Sequence, residues 1–299
     1  MPAAQYSLLE DRGLIEAKGE EARPFLQGLI SNDIDRVGPA HAVYAALLTA
    51  QGKFLHDFFI AELDGALLLD GESARLGDLM RRLTLYKLRA KAILTDRAGD
   101  FAVAAVFGDG ALETCGLGET PGAARPFEGG VLYTDPRHPG MGARAVLPRS
   151  DAEKILCDLG LQKTGRQAYD QQRIALGLPD GSRDMAIEKA ILLENGFDEL
   201  HGVDWNKGCY VGQELTARTK HRGLVKKRLM PVAIDGTAPE PGTPVLFDGK
   251  DAGEMRTSIG GIGLALLRLE YIEKARNTGT ALKSGEATLT PKKPDWASF

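Results

Sequence analysis

Cysteine is scarce in this chain: Cys115, Cys157 and Cys209 are the only three among 299 residues. They lie far apart, no CxxC or Cys/His cluster has zinc-site spacing, and the odd count argues against a disulfide framework. No apolar run approaches the roughly 18 residues of a membrane span. The start, MPAAQYSLLEDRG, lacks the basic opening and apolar stretch of a secretory signal. A cytoplasmic protein is therefore expected. No sign of charge dominates either; the net charge of −4 favours solubility and argues against a general nucleic-acid binder. Phosphate loops are missing too. GGIGLA (260–265) and GMGAR (140–144) contain glycine pairs, but no Lys-Ser/Thr follows, so both read as turns. There is no HExxH, and the five histidines are scattered, with His138 and His221 read as loop residues.

What remains is an ordinary globular composition, 43% apolar and 26% charged, on a chain long enough for two or three domains. HAVYAALLT (41–49) reads as a strand, and FLHDFFIAEL follows as a second after the QGK turn. Asp64-Gly65 gives a hairpin signal into ALLLD. Leu76, Leu79, Met80, Leu83 and Tyr86 recur at helical spacing. AILTDR and FAVAAVFG are apolar strands, residues 109–142 are rich in loops, and ARAVLP precedes a helix that Ser150 or Asp151 could cap. Cys157 is placed in that helix as core packing, while Cys115 falls in a loop. A further helix carries DQQRIALG and stops at Gly177. Hairpins of this kind indicate an α+β fold rather than a doubly wound sheet. From about Leu224 onward, short strands between Gly and Pro turns indicate a β-barrel of roughly 75 residues. The chain thus divides into 1–222 and 223–299.

Two places invite a functional reading. Asp57 sits in a strand with apolar residues on both faces, so its carboxylate is buried either way. A buried carboxylate marks a site or a hydrogen-bond network. His56 must point to the opposite face, so the two are not a simple dyad. The second place is KGCYVGQELTARTKHRG, Lys207 to Gly223. Between Asn206 and Met230 seven Lys/Arg residues meet one acid, Glu214, a local excess of +6. Within it Gly208 and Gly212 stand on either side of Cys209. Lys207 and the amino end of the following helix would favour a thiolate. Nucleophile, metal ligand and small packed residue all remain open for Cys209.

The run Lys207-Gly208-Cys209-Tyr210-Val211-Gly212-Gln213-Glu214, with Arg218 four residues on, resembles the signature of the YgfZ-type folate-binding, iron–sulfur assembly proteins. LISNDI near residue 30, LTAQGKFLHDFFI at 48–60, DPR at 135–137, GMGAR, RIALGLP at 173–179 and GEMRTS extend the likeness over most of the chain. That family is similar in fold to the T-protein of glycine cleavage, a tetrahydrofolate-dependent aminomethyltransferase. The resemblance implies a three-domain ring with two interleaved α/β domains and a C-terminal barrel. It implies tetrahydrofolate or a derivative as ligand, no tightly bound metal, and a monomer that serves iron–sulfur client or assembly proteins, tRNA-modifying enzymes among them. It assigns Cys209 as the functional thiol and matches Tyr44, Asp57, Asp70 and Arg173 to folate-site positions of the T-protein, Asp57 near the reactive folate nitrogen. His56 and Ala175 replace acidic groups of that site, which favours a folate-binding assembly factor over a one-carbon transferase. A tRNA-binding module built on the basic segment is the third reading.

Overall fold

The computed structural model describes residues 3–223 and 225–299. The chain forms two compact units: Met1–Leu48, Leu55–Tyr169 and Leu200–Val211 make the first, and Thr49–Phe54, Asp170–Glu199 and Gly212–Phe299 the second.

In the first unit the strands are β1 (Gln5–Leu8), β2 (Arg12–Lys18), β3 (Val43–Leu48), β4 (Phe54–Leu63), β5 (Ala66–Glu72), β6 (Ile93–Asp96), β7 (Phe101–Phe107), β8 (Ala124–Phe127), β9 (Gly130–Thr134), β10 (Ala143–Pro148) and β11 (Gln162–Lys163). They form a five-stranded sheet, β3-β4-β5-β2-β6, and a six-stranded sheet, β11-β1-β7-β10-β9-β8. The second sheet takes β1 from before the first sheet and β7 to β11 from after it, so the two interleave in sequence as the resemblance implied.

Strand periodicity decides what each sheet face carries. On the five-stranded sheet, Val43, Ala45, Leu47, Phe58, Ile60, Leu67 and Leu69 form a buried apolar core with Leu76, Leu79 and Leu83 of helix Leu76–Lys87. The alternate positions present Tyr44, Asp57, Phe59 and Asp70, with Phe59 paired opposite Asp70 across β4 and β5. The six-stranded sheet packs Ala104, Val106, Leu132, Ala145 and Leu147 on its own core with Ala152 and Leu156 of helix Ala152–Asp158. Its alternate positions include Tyr133 and Arg144. These remaining positions meet, Arg144 bonding Asp70 and the Tyr133 ring lying 6.5 Å from that of Phe59.

In the second unit, β12 (Lys227–Asp235), β13 (Pro244–Phe247), β14 (Lys250–Ile259), β15 (Ile262–Arg268), β16 (Leu282–Ser284) and β17 (Ala287–Pro291) close a barrel in the order β12-β15-β14-β13-β16-β17. Met230, Val232, Met255, Leu267 and Leu289 fill it. The expected start near Leu224 lies outside the described residues. Compactness also groups residues 170–199 with the barrel. Arg173 explains part of that, because its guanidinium and Asp184 both bond Thr257 of β14.

Several local expectations need correction. The zone 109–142 contains the hairpin β8–β9. Asp151 takes the N-cap position of the next helix, but its side chain makes no cap bond and accepts from the Ser150 hydroxyl instead. Cys157 is exposed, because helix Ala152–Asp158 buries only Ala152 and Leu156 fully. Its sulfur lies 3.4 Å from the Tyr6 hydroxyl. Cys115 is buried in the core after a short helix, and burial pushes its thiol up to about 11. His221 lies in the last turn of helix Gln213–Arg222 rather than in a loop. Among the described residues no helix is long and apolar enough to cross a membrane.

Candidate functional site

Tyr44 and Asp57, thirteen residues apart, are brought together by adjacent strands β3 and β4. The phenol donates to the Asp57 carboxylate at 2.7 Å, and both groups are buried. Burial raises the Tyr44 hydroxyl well above its ordinary value, Asp57 adds to this, and Arg137 opposes it. Tyr44 therefore stays a neutral donor and Asp57 its acceptor. His56 points to the other face, where its Nε2 meets Asp78 at 2.9 Å.

Beside this pair lies a cluster that sequence reasoning missed. Phe59 has three guanidinium groups over its ring, Arg144 at 3.9 Å, Arg137 at 4.9 Å and Arg12 at 5.7 Å from the centroid. Such cation–π contacts strengthen when desolvated, and all three arginines are buried. Two aspartates pair with them. Asp70 accepts from Arg12 Nε at 2.7 Å and from Arg144 at 2.5 Å, while Asp135 binds Arg137 in a two-pronged pair at 3.0 and 2.8 Å. Burial pushes Asp135 up, but Arg137 and Arg144 outweigh it and hold the carboxyl below its ordinary value. Asp70, matched to a pterin-facing position, is thus engaged on two arginines of its own unit. DPR and GMGAR carry Arg137 and Arg144. The usable signal was an arginine inside the otherwise apolar strand ARAVLP. Gly142 just before it takes φ +85, and a Cβ there would stand 2.1 Å from the Val106 carbonyl.

A cavity of about 200 Å³ opens at Tyr44, lined by Asn32, Arg36, His41, Ala42, Val43, Tyr44, Thr120, Pro121, Pro136 and His201. Burial lowers the His41 pKa, and Arg36 lowers it further. Amide, imidazole, hydroxyl and apolar walls converge here, the mixture small-ligand sites use.

Arg173 belongs to the second unit and is fully buried there. Its donors reach Asp170, Asp184, the Leu178 carbonyl and Thr257 at 2.7–3.0 Å. This arrangement makes it a framework residue of that unit.

The signature segment is divided in the same way. Residues 201–211 form no helix or strand, and helix Gln213–Arg222 begins only after Gly212, which takes φ +82. Gln213 opens that helix. Glu214 is exposed in its first turn and comes within 4.0 Å of Arg218. Cys209 is exposed, and a Cβ on Gly208 would meet nothing within 4 Å, so the approach to the thiol from that side is open. Tyr210 is buried. Lys207 does something other than expected. Its ammonium donates to the carbonyls of Gln27, Ile30 and Asn32 at 2.8, 2.7 and 2.8 Å and lies 5.1 Å from the Tyr210 ring centroid. Burial lowers its pKa to about 8 against the pull of Asp33, Asp204 and Asp35, so it remains largely charged at neutral pH. Lys207 fixes the loop that carries the thiol. Among the described residues no group of three or more His, Cys, Asp or Glu side chains is placed to hold a metal ion.

Residues 226–299 match the family model described as the CAF17 C-terminal beta-barrel domain. The iron–sulfur cluster assembly factor IBA57, mitochondrial, of Mus musculus is 35% identical over 311 residues, spanning 96% of this chain and 84% of the mouse protein. The Homo sapiens protein of the same name is 34% identical, with the same coverage of 96% and 84%. The IBA57 homolog of Mycosarcoma maydis is 32% identical over 90% of this chain and 75% of its own. Among solved structures, the glycine cleavage system aminomethyltransferase T of Bartonella henselae superposes with a TM-score of 0.77 at 16% identity, covering 98% of this chain and 86% of that one. The T-protein-like fold with its mixed sheets and closed barrel is therefore shown. The cytoplasmic placement is overturned, since these relatives are named as mitochondrial proteins.

Proposed function

Because the chain belongs to the IBA57 family of iron–sulfur cluster assembly factors, we propose that it acts in iron–sulfur cluster assembly or repair, with Cys209 as its working thiol and a reduced folate seated at the Tyr44 cavity. The observation that carries this reading is the exposed Cys209 on a segment held by the three carbonyl bonds of Lys207. A thiolate in such a position can attack an electrophile, exchange with another thiol or ligate iron. One cysteine supplies one of the four ligands that iron–sulfur clusters ordinarily take. Cys209 would therefore share a cluster with a client or assembly protein. Enzymes that modify tRNA are among the clients we include.

The folate part rests on the fit of the cavity. His41, Thr120 and His201 offer polar groups around the apolar walls of Val43, Pro121 and Pro136, which suits a flat polar heterocycle. At about 200 Å³ it is smaller than the roughly 300–1,000 Å³ of drug-sized sites, so it would enclose the ring end and leave the glutamyl end outside. Arg36, about half exposed at the rim, suits a carboxylate there. A reduced folate supplies one-carbon and redox chemistry when bound. The protein's own part is to orient the ring with Tyr44, whose hydroxyl Asp57 fixes. An aminomethyl transferase is the weaker reading, because His56 replaces an acid of that site and Asp70 is held by two arginines.

Calorimetry with tetrahydrofolate tests the ligand, with weaker binding expected for Tyr44→Ala and Asp57→Ala. No binding by the wild type at millimolar folate removes the folate part. Deletion of the gene, followed by assays of several iron–sulfur enzymes with and without folate depletion, tests the assembly role; unchanged activities in the deletion strain would overturn it.

A further inference from the structure

The cavity and the thiol segment share one support. Residues 201–211 lack backbone ladders of their own and are tied to the loop after helix Ala22–Gln27. The ties are numerous. Ser31 donates its hydroxyl to the Gly202 carbonyl at 2.6 Å, and the Ser31 carbonyl accepts from the Asp204 amide at 3.1 Å. The Val211 amide reaches the Gly28 carbonyl at 3.1 Å. Asn32 joins the two sites directly. Its side-chain amide donates to the carbonyls of Tyr44 and His201, both at 2.7 Å, and both of those residues line the cavity. The Asn32 backbone carbonyl accepts from the Lys207 ammonium, two residues before Cys209.

From this geometry we infer that Asn32 and Lys207 are positioning residues that couple the cavity to the thiol, so that a molecule seated against Asn32 and His201 alters the reactivity of Cys209. The inference rests on the proposed roles of that cavity and that cysteine. The physical reason is local. An irregular segment opens at low cost unless its few hydrogen bonds are held together. A ligand that fixes Asn32 and His201 holds the near end of the segment. Lys207 carries that constraint to the far end, because its three donors converge on one loop. Lysine suits this task, since one ammonium carries three N–H donors for three carbonyl groups. Coupling of this kind is reciprocal at equilibrium: if the ligand shifts the mixed-disulfide equilibrium of Cys209 with glutathione, forming that disulfide changes the ligand's affinity by the same factor.

The test has a ligand-free arm and a ligand arm. In ligand-free protein, Asn32→Asp keeps the shape and removes both side-chain donors, and Lys207→Met removes the three-way tie without touching the cavity lining. Each is expected to speed amide exchange at Asp204 and Val211 and to change the iodoacetamide rate of Cys209 while leaving Cys157 unchanged. In the second arm, tetrahydrofolate should shift the equilibrium constant for mixed-disulfide formation between Cys209 and glutathione in wild type by about fivefold or more, and the mixed-disulfide protein should bind tetrahydrofolate with an affinity changed by that same factor. Lys207→Met should abolish the shift. A merely structural residue would not give that matched pair of factors. If wild type does not bind folate yet Asn32→Asp and Lys207→Met change the Cys209 rate, the coupling stands and the folate reading falls. Should both variants fold and leave exchange and alkylation as in wild type, or should folate bind without moving the Cys209 mixed-disulfide equilibrium, the coupling is wrong.

Discussion

Arg144 on β10 binds Asp70 on β5 through two N–H groups, at 3.2 and 2.5 Å, and so joins the two sheets of the first unit by a fully buried ion pair. Arg12 completes the arrangement from β2. Removing the carboxylate leaves two buried guanidinium groups without their counter-charge, a loss worth about 3–5 kcal/mol. Asp70→Ala should therefore lower the urea midpoint sharply. A variant with wild-type stability and selectively weakened folate binding would instead return Asp70 to the ligand site.

Tyr44→Phe separates stability from recognition. It deletes one hydrogen bond to a charged group, worth about 1.5–3 kcal/mol, and leaves the ring that lines the cavity. Urea unfolding should register that loss, and folate calorimetry should show weaker binding because the hydroxyl no longer anchors the ring to Asp57.

His56 makes the fold sensitive to acid. Burial lowers its pKa to about 4, Arg75 assists, and Asp78 opposes. An unfolded histidine titrates near 6.5. Between those values the unfolded chain holds a proton that the native chain does not, so stability falls as pH drops through that window. The full loss is about 3 kcal/mol, at roughly 1.4 kcal/mol for each unit of pKa difference. Urea midpoints measured from pH 7 down to 4 should show a shallower decline in His56→Gln. An unchanged slope would mean that His56 is not the group responsible.

Cysteine chemistry should divide by burial. Cys157 and Cys209 are exposed, whereas Cys115 lies in the core with its thiol pushed up to about 11. Mass spectrometry after brief alkylation of native protein is expected to find Cys115 unmodified and to find it labelled only after denaturation. Native labelling of Cys115 would show that the core around it opens readily.

The strand elements were legible because their signals are local. FLHDFFIAEL became β4, Phe54–Leu63, without a change of boundary, and the period of Leu76, Leu79 and Leu83 gave the helix that covers its sheet. The β8–β9 hairpin was hidden by its glycines and prolines, which mark turns more loudly than four-residue strands mark themselves. The buried cluster around Phe59 was hidden for a different reason. Asp70 meets Arg12 and Arg144 across separations of 58 and 74 residues, and no pattern within a window of sequence announces such a pair. Lys207 illustrates both cases. Its neighbourhood to Cys209 was visible, but its charge is directed to carbonyls some 175 to 180 residues away.

Complementation of a deletion strain by Cys209→Ser tests the working thiol most directly. Serine keeps the size and removes the soft, ionisable sulfur, so the variant should fold with wild-type stability. Activities of iron–sulfur enzymes in that strain are expected to stay at the deletion level when Cys209→Ser is supplied and to recover with the wild-type chain. Full recovery with the serine variant, at matched protein levels, would contradict a working role for the Cys209 thiol.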